Sequence, residues 1–126
     1  MAAGCRVDSD DHMTEQIKLV DQKAARLFSP ESGVVRQVLA YTTNLMLVRH
    51  LMEKGWVGAR HSHPHEQLVY MIRGHLRFTG GDQTFDVRTG DSFVVPGGIE
   101  HQASALEDSE VLDVFAPFRE DYAEKP

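Results

Sequence analysis

The chain has few of the cysteines that stabilise small secreted domains and none of the long apolar segments that anchor proteins in membranes. Its 126 residues include one cysteine, Cys5, which excludes an internal disulfide bond. No apolar run approaches the roughly 20 residues that span a bilayer. The N-terminal residues Met1–His12 have no apolar core of the kind that a signal peptide needs. These absences predict a soluble cytoplasmic protein.

Positive charge is also scarce. The 13 lysines and arginines are outnumbered by 19 aspartates and glutamates, so the formal net charge is −6. The chain has no run of basic residues that could neutralise phosphates or an anionic lipid surface. We therefore expect neither a nucleic-acid partner nor a membrane partner.

The chain divides at about residue 15. Residues 1–15 are polar and predict a flexible N-terminal tail, whereas residues 16–126 predict one domain with a single core. No long amphipathic helix is expected. Short apolar segments bounded by turn signals predict strands at 34–41, 45–52, 67–73, 75–79, 83–88, 92–95, 101–106 and 110–115. This spacing indicates an all-β sandwich or barrel.

Three histidines and a glutamine have a spacing that suits a metal site. His61 and His63 are two residues apart, and alternate residues of a strand point to one face. His101 can complete the set if its strand lies beside theirs, since imidazole is the commonest metal ligand. Gln67 keeps the inward parity if the strand continues, and it offers a carbonyl oxygen. The alternative is that these are surface polar residues of an empty barrel.

The other polar residues near this motif have weaker signals. We expect His65 beside the site or in solvent, because Pro64 disturbs the strand before it. Glu66 has the wrong parity for a pocket and is expected to be exposed. His50 and His75 have no partner spacing and receive no role.

A second group of candidate residues lies near the C-terminus. Asp113 interrupts the otherwise apolar segment Val111–Phe115. A bare buried carboxylate is costly, so Asp113 must be paired, hydrogen-bonded or functional. Phe115 shares its face by parity, and Arg119 follows a proline and could return over the barrel mouth. On parity alone, a structural acid and a surface charge are the favoured interpretation.

Two glycine-bounded segments resemble the two sequence motifs of the cupin superfamily. The residues that match the first motif are Gly55, His61, His63 and Gly74, with Gln67 where a glutamate is expected. Those that match the second are Gly90, Pro96, Gly98 and His101, with Ala105 in place of an asparagine. The resemblance implies a cupin domain at 16–126, which is a single-domain double-stranded β-helix, or jelly-roll barrel.

A narrower resemblance covers roughly residues 27–122. The segments 61–67 and 113–121 are similar to those of the small pectin-degradation cupins of the KdgF type. Those cupins convert ring-form 4,5-unsaturated monouronates into linear keto-deoxyuronates. The resemblance implies that Gln67 is a metal ligand alongside the histidines, and that Asp113, Phe115 and Arg119 are catalytic.

This resemblance implies a metal-dependent isomerase of pectin or alginate breakdown. Its substrate would be a small anionic sugar, its cofactor one divalent ion per chain (zinc, nickel, iron or manganese), and its assembly a homodimer. Three neutral imidazoles and one amide favour Lewis-acid work over dioxygen activation. The alternatives are another metal-dependent cupin enzyme, such as a dioxygenase or sugar isomerase, and a non-catalytic cupin that binds a small ligand.

Overall fold

The computed structural model describes residues 16–124, so the tail predicted at 1–15 lies outside the described residues. In the described part there are nine strands and one short helix: β1 (Phe28–Glu31), β2 (Val34–Tyr41), β3 (Met46–Met52), β4 (Glu66–Arg73), β5 (His75–Gly80), β6 (Gln83–Arg88), β7 (Ser92–Val95), β8 (His101–Ala105), β9 (Ser109–Ala116) and α1 (Glu120–Glu124). Over residues 16–124 no helix has the length and apolar character needed to cross a membrane.

All eight strands predicted from the sequence are present, with ends displaced by at most one residue. The strand that was not predicted, β1, has the sequence Phe28-Ser29-Pro30-Glu31 and lies at the edge of its sheet. Proline cannot donate to a ladder, so such a segment forms a strand only at an edge and carries little strand signal.

The homodimer stays a prediction, which the solution mass would test.

The strands form two antiparallel sheets. The larger has the order β1-β2-β3-β9-β4-β7, and the smaller has the order β6-β5-β8. The last strand, β9, pairs with both β3 and β4, so the chain returns from the smaller sheet to complete the larger one. This confirms the predicted all-β jelly-roll barrel.

The barrel interior follows from strict alternation along the strands. In β9 every second side chain is buried, namely Ser109, Val111, Asp113 and Phe115. The main apolar cluster includes Val69, Met71, Leu76, Phe78, Val87 and Val111. Each such side chain stabilises the fold by about 1.5–3 kcal/mol when fully buried.

A smaller apolar cluster holds the C-terminal helix against the barrel. It consists of Met46, Val48 and Phe115, on which Tyr122 and Ala123 of α1 pack. Because α1 has only five residues, this packing and not helix propensity keeps it in place. The segment that follows β9 is thereby folded back over the interior.

Candidate metal centre

A cavity of about 400 Å³ opens inside the barrel. Apolar side chains, among them Val69 and Phe78, form part of its lining. The charged and polar side chains that line it are Glu31, Arg36, His50, His61, Gln67, His101, Asp113, Arg119, Asp121 and Tyr122. Gln67 of the first candidate group and Asp113 of the second, 46 residues apart in the sequence, therefore face one space.

The backbone brings His61 and His101 together. They form an isolated antiparallel bridge, in which each backbone N–H donates to the other residue's carbonyl at 3.0 and 2.9 Å. The Gly98 backbone N–H donates to the His63 carbonyl at 2.8 Å. At Gly97, a Cβ would collide with the Pro64 carbonyl oxygen, so this close approach requires glycine. The two motif segments therefore build one corner of the barrel.

The three histidines converge through defined tautomers. One ring nitrogen from each of His61, His63 and His101 lies within 4.8 Å of the others. Each Nδ1 faces a backbone carbonyl oxygen, at 3.0, 3.1 and 2.9 Å, from Ala59, His65 and Ile99 respectively. A carbonyl oxygen only accepts, so Nδ1 carries the proton and the Nε2 lone pair is left to coordinate.

Gln67 completes this donor set. Its Nε2 donates to Asp113 Oδ1 at 2.9 Å, which turns its Oε1 toward His63 Nε2 at 3.1 Å. Two lone pairs then face each other, a contact that needs a cation or a proton between them. A proton is disfavoured, because burial and then the Arg119 charge lower the pKa of His63. The donors therefore fit a divalent ion that accepts nitrogen and oxygen ligands.

Gln67 faces inward, but for a different structural reason from the one predicted. The chain bends at Pro64-His65, and β4 starts only at Glu66, so no strand continues from His63. Gln67 faces the cavity because it lies opposite Phe115 in the β4–β9 register. Glu66 is exposed, as predicted. The His65 ring lies beside the site, 5.5 Å from that of His63 between centroids.

Asp113 is buried, with 4% of its surface exposed, and it is paired twice. Besides the Gln67 amide, it accepts a hydrogen bond from His50 Nδ1 at 2.7 Å. His50 Nε2 in turn accepts from Arg36 Nε at 3.2 Å. Asp113 is thus linked to the candidate metal ligands on one side and to a basic pair on the other.

Arg119 comes back over the cavity from the turn before α1. It is 9% exposed, and its guanidinium carbon lies 5.1 Å from the Phe115 ring centroid. Its Nε and Nη2 donate to Asp121 at 3.1 and 2.9 Å. Burial opposes ionisation of Asp121, but the Arg119 hydrogen bonds and charge keep the pKa of Asp121 below its usual value. Buried Nη1 has no partner among residues 16–124.

Three residues of the cavity were missed by sequence reasoning. The Tyr122 ring lies between two guanidinium groups, with Arg36 at 3.7 Å and Arg119 at 4.0 Å from its centroid. Burial raises the pKa of Tyr122. Arg36 and His50 are direct cross-strand partners on β2 and β3. Their only sequence signal is polar character at inward parity, which has meaning once the register is known.

Comparison with known proteins agrees with this geometry. The Cupin domain family matches residues 48–115. A curated relative, the pectin degradation protein KdgF of Dickeya dadantii, is 29% identical over 92 residues, 71% of this chain and 84% of the relative. The structure of KdgF from Halomonas sp. is 33% identical, with a TM-score of 0.79, over 83% of this chain and 99% of that one.

A further similar structure is an RmlC-like cupin from Shewanella frigidimarina. It is 28% identical, with a TM-score of 0.80, over 85% of this chain and 96% of that chain. The residues matched by the family, 48–115, include all four candidate metal ligands.

Proposed function

The chain belongs to the cupin family, in which it is a KdgF-like cupin, and from this we propose that it is a metal-dependent isomerase of unsaturated uronates. It converts ring-form 4,5-unsaturated monouronates, released in pectin or alginate breakdown, into linear keto-deoxyuronates. The observation that carries the proposal is one cavity lined by two members of a three-histidine cluster, by a buried carboxylate and by a buried cation, Arg119, whose Nη1 has no partner in the described part of the chain.

Arg119 is proposed to bind the substrate carboxylate. Asp121 takes Nε and one side of Nη2, so Nη1 and the outer side of Nη2 remain for a second carboxylate. An anion there satisfies the buried Nη1, which otherwise costs about 1–3 kcal/mol. Phe115 and Tyr122 line the same space and offer ring surfaces against which a sugar can pack.

The proposed reaction moves protons and no net electrons. The C1 hydroxyl loses its proton and becomes the aldehyde oxygen as the bond between C1 and the ring oxygen breaks. The ring oxygen keeps the electron pair as an enolate at C5, conjugated with the carboxylate, and protonation at C4 gives the ketone. Asp113 is the residue proposed to carry a proton, as the base at C1 or as the acid at C4.

The residues proposed to hold the divalent ion are His61, His63, His101 and Gln67. When bound, the ion supplies Lewis-acid charge for developing negative oxygen atoms. Because none of these four side chains is anionic, the ion would keep its full charge. This favours an anionic substrate over the dioxygen chemistry of carboxylate-ligated iron.

Proton NMR of the product tests the proposal. With unsaturated monogalacturonate, and separately with the alginate-derived monouronate, the C4 vinyl signal should give way to a C4 methylene signal faster than in buffer. Oxygen consumption should be absent. A variant with both His61→Ala and His101→Ala is the control and should match buffer. If the wild-type protein also matches buffer with both sugars, the proposed function is wrong.

A further inference from the structure

We propose that His50 is a positioning residue of this centre, which holds the Asp113 carboxylate and, through it, the orientation of the Gln67 amide. The inference deepens the proposed function and rests on it for its kinetic consequence. Its geometric basis is a chain of hydrogen bonds that runs across β2, β3, β9 and β4.

The first step concerns the tautomer of His50. Arg36 Nε is a donor and has no acceptor capacity. It lies 3.2 Å from His50 Nε2, so that nitrogen must present a lone pair. The proton of the neutral ring is therefore on Nδ1, which lies 2.7 Å from Asp113 Oδ2 and donates to it. Arg36 thereby determines which ring nitrogen of His50 donates.

The second step concerns the Gln67 amide. With Oδ2 taken by His50, Asp113 Oδ1 accepts from Gln67 Nε2 at 2.9 Å. The amide oxygen is then the atom that faces His63 Nε2, at 3.1 Å. A reversed amide would set its carbonyl oxygen against the Asp113 carboxylate, which is also an acceptor, and its NH2 group against the candidate ion. The direction of this amide thus depends on an Asp113 carboxylate that is held in place.

The third step concerns rigidity. Arg36 and His50 are direct cross-strand partners, and the side chains of His50 and Asp113 are 14% and 5% exposed. The Tyr122 ring packs edge-on against His50, 6.2 Å between centroids, and under the Arg36 guanidinium. Little room is left for the imidazole to turn, so it can fix the carboxylate that it contacts. Such supporting partners commonly change metal affinity or activity about 10- to 100-fold when removed.

A matched control exists outside the cavity. His75 Nε2 lies 3.0 Å from Asp86 Oδ2, and the side chain of His75 is 13% exposed, almost as in His50. This pair lies on β5 and β6 and does not line the cavity. His75→Leu therefore removes a comparable histidine–aspartate contact without touching the centre.

The first test needs no activity. Nitrogen-15 NMR of the zinc-loaded wild-type protein should show His50 protonated on Nδ1, whereas histidine in water favours the Nε2 tautomer. A ring protonated on Nε2 would overturn the proposal, whether or not the protein acts on uronates.

The second test compares variants. His50→Leu should lower kcat about 10- to 100-fold, with KM nearly unchanged because Arg119 is untouched, and should weaken zinc binding. His50→Asn, whose amide can donate near the position of Nδ1, should recover much of both. His75→Leu should leave both parameters unchanged. The same zinc affinity in His50→Leu and His75→Leu would overturn the proposal, even if the wild-type protein had no activity on uronates.

Discussion

Replacement of Asp113 by asparagine tests the arrangement of the centre most sharply. The carboxylate accepts from two donors, His50 Nδ1 at 2.7 Å and Gln67 Nε2 at 2.9 Å. Asparagine offers one oxygen and one NH₂ group, so one of these donors would face another donor. A buried donor left without a partner costs about 1–3 kcal/mol. Asp113→Asn should therefore lower the free energy of unfolding by that amount in urea.

The same variant should lose activity by a much larger factor. Asparagine cannot carry a proton, and general acid–base groups contribute roughly 100- to 10,000-fold. The assay is the loss of ultraviolet absorbance of the unsaturated monouronate, corrected for the spontaneous rate. Asp82→Asn, in the exposed turn between β5 and β6, is the control for the same chemical change and should be neutral. An Asp113→Asn protein of full activity and full stability would mean that Asp113 neither carries a proton nor is needed to satisfy its two donors.

Three further changes should separate charge, binding and stability. Gln67→Glu should retain the metal ion but lower the catalytic rate, because the new charge opposes an anionic substrate and faces Asp113; equal or higher activity in that assay would contradict this. Arg119→Lys should raise KM about 10- to 100-fold through the loss of charged hydrogen bonds, with little change in kcat; an unchanged KM would remove Arg119 from the binding site. The Arg49 hydrogen bond lowers the pKa of Glu110 below its usual value of 4.5. The pair should therefore stabilise the fold fully above pH 4.5, and this stabilisation should be lost as the pH falls through the lowered pKa. The difference in unfolding free energy between wild type and Glu110→Gln should therefore shrink in acid, and a constant difference would count against the pair.

Much of the barrel could be predicted because its strands carry local signals. Alternation of apolar residues and turn residues located eight strands to within one residue at each end. The histidines could be predicted because two of them are close in sequence and the third ends a matching segment. The prediction of His101 as the third ligand required its segment to lie beside that of His61, and the backbone bridge between the two residues meets this condition.

The remaining features depend on long-range register, which local patterns do not contain. His50 and Asp113 are 63 residues apart, and they meet only because β3 pairs with β9 at one register. The bend at Pro64-His65 also interrupts the alternation of side chains after His63, and Gln67 faces the cavity only because β4 pairs with β9 at one register. Arg119 lines the cavity in a segment whose Tyr122 and Ala123 pack on the barrel, a tertiary contact with no signature in the sequence.

The proposed isomerase activity is tested by the initial rate at which the wild-type protein, loaded with a divalent ion, removes the ultraviolet absorbance of unsaturated monogalacturonate. The reaction is run without oxygen and without a nicotinamide cofactor. The rate should be well above the spontaneous one, proportional to protein concentration and lost in the His61→Ala, His101→Ala double variant. A wild-type rate equal to the spontaneous one, with this sugar and with its alginate-derived counterpart, would contradict the proposed activity.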